Sequence, residues 1–271
     1  MDQLREQLEV ERELAERLRT ARDTRGLYSS VYDEFLRRVP HHPSLSQKDD
    51  AAAQAGLVRL QLQLLEPFLS PGTRFLEVGG GDCALAVELS RRVRQVTAVE
   101  AAATIVPQVG NLEVLVSDVP PYPLPGDSMD LAFTCHFIEH LRPDDALLHL
   151  REMHRLLAPG GRYVCVTPHR LWGPHDISRY FSDVPEGLHL HEYSHRELLG
   201  LLKRAGFRRG RAISRLGGSG TWLPHLGTRS LEALLALPPL AARRRALAAL
   251  SGRRRQPPLR LLEQVIVTAT R

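Results

Sequence analysis

The sequence predicts an α/β fold, a mostly parallel sheet with helices on both faces. Two observations carry this. From about residue 70 onward, apolar runs of strand length alternate with helical stretches, the βαβα order that buries a parallel sheet from both sides. The first of these runs, RFLEV at 74–78, also passes directly into a glycine triplet, Gly79-Gly80-Gly81, ahead of an apolar-periodic helix.

The elements follow in order. Leu4, Leu8, Leu14 and Leu18 lie near helical spacing in a Glu/Arg-rich segment, so residues 2–22 form an amphipathic helix. That helix either packs on the body of the protein or joins a second copy in a homodimer. Tyr28, Tyr32, Phe35 and Leu36 mark a second helix ending in the Pro40–Pro43 loop, and residues 51–69 form a third, closed by Ser70-Pro71-Gly72. Residues 1–50 are thus an N-terminal helical extension, and 51–271 the main domain. Strands are expected at 74–78, 95–100, 112–117, 129–134, 161–167, 208–215 and 263–270. Helices lie between them at Ala84–Arg92, near 101–108 and at Asp144–Leu157. Ser194-His195-Arg196-Glu197 has capping-box spacing and opens a further helix, with His195 on its surface. Residues 217–260, rich in Leu, Ala, Arg and Pro, read as a helical insertion before the seventh and last strand.

Composition narrows the class. A chain of 271 residues supports one well-buried core with additions, and 43% hydrophobic with 25% charged residues excludes wholesale disorder. No apolar run approaches membrane-spanning length and the N-terminus is charged, so a cytoplasmic protein without a membrane span is expected. Cys83, Cys135 and Cys165 form neither a disulfide framework nor a CxxC pair. The net charge of +5 is almost wholly arginine, since Lys48 and Lys203 are the only lysines. The triplets Arg243–Arg245 and Arg253–Arg255 could meet an anionic surface, yet no aromatic residues interleave them as a nucleic-acid track would require.

The chemistry begins at LEVGGGDCALAVEL. Gly79, Gly81 and Ala84 satisfy the GxGxxG/A dinucleotide pattern, with Glu100 ending the second strand as a ribose ligand would. Glu77 separates the readings. A carboxylate two residues before the first glycine repels a pyrophosphate but suits a ligand carrying an ammonium and a sulfonium, which is S-adenosylmethionine. Ser117-Asp118 ends the third strand, where a carboxylate can accept from an adenine amino group, and LLAPGGRYVCVTP supplies a helix end, a tight turn and the fifth strand.

Together LEVGGGDC, AVE, SD at 117–118, DLAFTCHFIEHL and LLAPGGRYV make the chain resemble the class I S-adenosylmethionine-dependent methyltransferases, over residues 51–216 and the last strand. The resemblance implies a Rossmann-like sheet of seven strands whose last strand is antiparallel. It also implies that Glu77, Gly79 and Gly81 hold the methionine end, Glu100 the ribose hydroxyls and Asp118 the adenine, while Cys135 lines the cofactor through its backbone.

Methyl transfer needs an acceptor atom held in line and, for a hydroxyl, relieved of its proton. His136, Glu139 and His140 in CHFIEHL stand at i, i+3 and i+4, one face of a helix at the end of the fourth strand. The small-RNA 2′-O-methyltransferases and the ubiquinone-pathway O-methyltransferases carry a similar ExxEH that binds a divalent metal, together with a later histidine. Alignment on Glu192-Tyr193 makes His189 its equivalent. This chain has His136 where those relatives have glutamate. Three imidazoles and one carboxylate suit zinc, manganese or iron; without a metal, His136 serves as a general base. His191, two residues on, could share the side of His189.

The segment RLWGPHDISRYFSDVPEG follows the fifth strand. Trp172, Tyr180 and Phe181 offer stacking surface to an acceptor or plug the sheet edge; His169 and His175 are read as acceptor wall. The function expected is O-methylation of a small molecule or saccharide. RNA 2′-O-methylation with a divalent metal competes with it, although no recognisable RNA-binding module is present. A non-catalytic S-adenosylmethionine-binding scaffold, indifferent to His136→Ala and His140→Ala, is the reading from another class.

Overall fold

A computed structural model describes residues 1–42, 51–101, 109–216, 221–237 and 262–271. The helix expected near 101–108 and both arginine triplets lie outside these residues, as does most of the insertion.

Helices α1 (Asp2–Thr20), α2 (Leu27–Arg38) and α3 (Ala51–Leu65) precede β1 (Arg74–Val78) and α4 (Ala84–Leu89). Then come β2 (Gln95–Glu100), β3 (Leu112–Val116), β4 (Met129–Cys135), α5 (Pro143–Leu156) and β5 (Leu157–Pro168). The chain ends with α6 (His195–Arg204), β6 (Arg209–Leu216), β7 (Thr221–Leu223), α7 (His225–Leu235) and β8 (Gln264–Thr270). The strands form one sheet in the order β3-β2-β1-β4-β5-β8-β6-β7. β1 through β5 pair in parallel, and β8 runs antiparallel between β5 and β6. All seven expected strands are present. The eighth, β7, is a short antiparallel partner of β6 in the segment read from sequence as purely helical.

Alternation along the strands sends side chains to two cores. On one face Phe75, Val96, Leu131, Phe133 and Val164 pack with Leu64, Leu65, Leu85 and Leu89 of α3 and α4. On the other, Leu76, Val78, Tyr163, Cys165, Val265 and Val267 pack with α5, α6 and the N-terminal helices. Leu14, Leu18 and Val31 are fully buried there, so the apolar stripe of α1 is spent within its own chain. His195 is fully buried, not on the helix surface: its ring lies beneath the N-terminus of α6, where Glu232 of α7 meets it. Ser194 does cap α6, accepting from the Glu197 N–H at 3.2 Å.

The sheet order reverses between β1 and β4, the two central neighbours. Chain crossovers leave in opposite directions there and open a crevice at the carboxyl ends of these strands.

Candidate active site

On the β1 side of the crevice the glycine turn is built around buried acids. Gly79 and Gly81 adopt φ of +72° and +70°, a region that disfavours side chains. A Cβ on Gly79 would lie 2.9 Å from Phe137 Cγ, and one on Gly80 would lie 2.6 Å from Glu77 Cδ. Gly80, which the spacing pattern ignored, is thus needed to seat Glu77. The Glu77 carboxylate accepts from Ala86 N at 3.1 Å. Burial, then the charge of Glu100, push its carboxyl up to about 8. Glu100 accepts from Gly80 N at 2.6 Å and from Gly81 N at 3.2 Å, and burial raises it as well.

Two buried carboxylates stand side by side here, and neither has an ion-pair partner among the described residues. Such a pair fits a ligand bringing positive charge, as the ammonium and sulfonium of S-adenosylmethionine do. Asp118 is engaged otherwise. Its oxygens accept from Gly26 N at 3.2 Å and Ser29 N at 3.3 Å, so it caps the start of α2 and ties the extension to the end of β3. Cys135 ends β4 opposite Val166, with its thiol pushed up to about 12, first by burial.

On the β4 side the expected helix face is replaced by a tighter turn. His136 takes a left-handed φ of +53°, and a 3-10 turn spans Ile138–His140. His136 therefore lies outside the helical turn; strand-to-turn reversal, not α-helical spacing, brings it to Glu139. The fully buried Glu139 accepts from Thr167 Oγ1 at 2.9 Å and lies 3.2 Å from His136 Nδ1. Gln264 Nε2 stands 3.2 Å from His136 Nε2, directing the Nδ1 proton to Glu139. Burial would raise Glu139, but the His136 hydrogen bond and the three neighbouring imidazoles outweigh it and hold the carboxyl at about 2.

Glu139, His140 and His189 converge, their ligating atoms lying within 4.8 Å of one another. Both rings have one nitrogen fixed from outside. His140 Nδ1 donates to Leu188 O at 3.0 Å, and His189 Nδ1 donates to Glu192 Oε1 at 2.9 Å. Each ring is left with Nε2 for a ligand, and His140 meets His189 edge-on with centroids 4.9 Å apart. Burial pulls His140 down to about 4. Burial also opposes protonation of His189, but Glu192, Glu139 and Asp176 more than offset it, so His189 is raised. His136 is not in this group; it acts on Glu139 from behind. His191 is not either, since its Nε2 binds Glu197 Oε1 at 2.6 Å.

The extension reaches the same place. Glu11 of α1 accepts from Leu188 N at 3.1 Å, Arg12 pairs with Glu186, and Arg19 donates to Gly187 O at 3.5 Å. The Leu188 peptide is thus held by Glu11 on one side while receiving His140 on the other. Glu11 carries no motif; it lies on the buried stripe of α1 with Gln7, Leu8, Leu14, Ala15 and Leu18.

The loop after β5 divides. Trp172 is buried at 8% exposure, whereas Tyr180 is 44% exposed. His169 is fully buried and binds Glu232 Oε1 at 2.8 Å, so it belongs to the core under α7 and not to an acceptor wall. His175 hydrogen-bonds His169 O at 3.0 Å. His169, His195 and Glu232 form a second buried group with ligating atoms within 4.8 Å.

Residues 76–165 match a family model described as a methyltransferase domain. No curated protein matches the chain significantly. Solved structures share the fold. A methyltransferase of Mesorhizobium loti is 19% identical over 82% of this chain and 99% of that one, with a TM-score of 0.50. One from Archaeoglobus fulgidus is 17% identical over 80% and 94%, with a TM-score of 0.54. The phosphoethanolamine N-methyltransferase 2 of Haemonchus contortus, solved with phosphomonomethylethanolamine and S-adenosylhomocysteine, is 16% identical over 79% and 52%, at 0.53. In its strand order, its acid-lined glycine turn and the domain match over residues 76–165, the chain is similar to the class I S-adenosylmethionine-dependent methyltransferases.

Proposed function

We propose that this chain transfers the methyl group of S-adenosylmethionine to an oxygen of a small-molecule or saccharide acceptor. The observation that carries the reading is the convergence of Glu139, His140 and His189, with both Nδ1 protons turned outward and both Nε2 atoms left for the acceptor. A hydroxyl seated there meets groups able to take its proton as the new bond forms, while Glu77 holds the positively charged methionine end of the cofactor and Glu100 the ribose hydroxyls. Outside the site, Thr167 and His136 hold Glu139, and Glu192 holds His189, so the acceptor meets rings and carboxylate already oriented.

The same three residues suit a divalent cation, since a ligating histidine keeps its ring oriented by donating the other N–H to a carboxylate or carbonyl. Such an ion would supply Lewis acidity to a bound hydroxyl, and two imidazoles with one carboxylate favour zinc or manganese over magnesium. The test is transfer of labelled methyl from S-adenosylmethionine to a fixed set of phenols, monosaccharides, methyl glycosides and RNA, each with and without chelator. Label on oxygen of a glycoside or phenol is the expected result. Label on RNA alone overturns the acceptor class, and chelator-insensitive turnover removes the cation.

A further inference from the structure

We infer that Tyr32, supplied by the N-terminal extension, is an acceptor-binding residue whose hydroxyl hydrogen-bonds the acceptor oxygen beside His140. This rests on the oxygen-acceptor reading above and adds to it a residue from outside the methyltransferase core. Tyr32 lies on α2, and its ring meets His140 edge-on with centroids 5.8 Å apart. Its hydroxyl oxygen is closed off from solvent and has no hydrogen-bond partner among the described residues. Leaving a buried polar group unpaired is destabilising, so a tyrosine without a use for its hydroxyl would be better replaced by phenylalanine.

Its surroundings identify the partner's chemistry. A phenol is un-ionised at physiological pH, so Tyr32 is a neutral donor. The hydroxyl bonds neither Glu139 nor Glu11. A ligand hydroxyl between Tyr32 and the Glu139–His140–His189 group satisfies both: it accepts from Tyr32 and gives its proton to the group. The phenol then favours the form of the acceptor in which negative charge builds on oxygen, because a donor to an oxyanion is worth more than one to a neutral hydroxyl.

The seating of α2 makes this a designed position. Asp118 caps its first turn, Ser29 Oγ bonds Ala101 O, and Tyr28 Oη donates to Asp145 Oδ2 at 2.8 Å while accepting from Arg142 N at 3.1 Å. Tyr28 shows what a satisfied tyrosine looks like on this helix. One turn later Tyr32 is carried to the site with its hydroxyl free of any such contact.

The experiment compares full-length wild type with Tyr32→Phe, which removes one oxygen and keeps the ring on His140. Both are measured for labelled methyl transfer to the fixed set of phenols and methyl glycosides, for S-adenosylhomocysteine binding by calorimetry, and for Tm. We expect kcat/KM to fall about tenfold, with cofactor affinity unchanged and Tm equal or higher. Transfer that is present and equal in both proteins overturns the role of Tyr32 alone. A lowered Tm with weakened cofactor binding also overturns it, since it shows a structural hydroxyl. No transfer to any member of the set by wild type overturns the oxygen-acceptor reading and this inference together.

Discussion

Glu77→Gln tests the acid-lined glycine turn most directly. Burial and Glu100 raise the Glu77 carboxyl from 4.5 to about 8, so at pH 7 only about one molecule in ten carries the charge. An ammonium ligand needs the ionised form. Each pH unit below that value therefore costs binding about 1.4 kcal/mol, and S-adenosylhomocysteine affinity should rise about tenfold per unit up to about pH 8, then level off. Glutamine keeps the shape and can still accept from Ala86 N, but it gives the ammonium no charge. A charge-assisted hydrogen bond contributes about 1.5–3 kcal/mol, so affinity at pH 8 should fall about 10- to 150-fold. The pH slope should shrink to whatever Glu100 supplies. Stability moves the other way. A raised acid favours folding below its unfolded value of 4.5 and loses that contribution as pH climbs towards 8. The variant should therefore match wild type at about pH 4 and melt higher at about pH 8. Calorimetric titration and thermal melts across this range give both quantities. Equal affinity and equal slope in the two proteins would refute an ammonium partner for Glu77.

The second set of predictions concerns the acceptor side and the fold. Calorimetry with manganese or zinc should find one site per chain, lost in His189→Ala and kept in both His136→Ala and His195→Ala. Glu192→Ala should weaken that site about 10- to 100-fold by releasing the His189 ring; retention in His189→Ala would move the site elsewhere. Gly79→Ala should lower stability by about 1–3 kcal/mol, because the +72° backbone and Phe137 both oppose a Cβ. Adding Phe137→Ala should not restore wild-type Tm, since the backbone conformation stays unfavourable. Leu14→Ala should cost about 2–5 kcal/mol within a single cooperative unfolding transition. A separate early transition would show that residues 1–42 do not share the main core.

The sheet was legible because each strand pays for itself locally: RFLEV, QVTAVE and MDLAFT are short apolar runs bounded by polar turns. The turn at His136 was not. Spacing i, i+3, i+4 suggests an α-helical face, but the chain leaves β4 through a left-handed residue and completes only a 3-10 turn. His136 still reaches Glu139, three residues on, through this turn, whereas Glu139 and His140 converge with His189 of a distant segment. His195 was misread for a related reason. A capping box specifies where a helix begins, not which side of it faces the body, and α7 arrives from 30 residues downstream to bury it. Tyr32 and Glu11 were invisible as functional residues, since each sits in an amphipathic helix whose pattern speaks of packing alone. Their roles come from long-range docking onto Leu188 and His140.

The two histidine groups show why residue type and proximity together do not define a site. Both consist of two imidazoles and a carboxylate with ligating atoms within 4.8 Å. Around His140 and His189 the outer partners are acceptors, Leu188 O and Glu192 Oε1, so the protons point outward and lone pairs face the centre. Around His169 and His195 the outer partners are donors. Leu171 N donates to His169 Nδ1 at 3.0 Å and Ile266 N reaches His195 Nε2 at 3.4 Å, so the inward nitrogens must carry the protons. Those protons face Glu232, 2.8 Å from His169 Nε2 and a looser 3.4 Å from His195 Nδ1. Glu232 also accepts from His195 N at 2.7 Å and Arg196 N at 3.3 Å at the start of α6. A cation there would need bare inward nitrogens, hence protons on the outward ones, each then confronting a backbone N–H. The second group is thus a clasp joining α7 to α6 and β5, and Glu232→Gln should lower Tm while leaving methyl transfer per folded molecule unchanged. Loss of a bound cation in that variant, with full retention in His189→Ala, would reverse the assignment of the two groups.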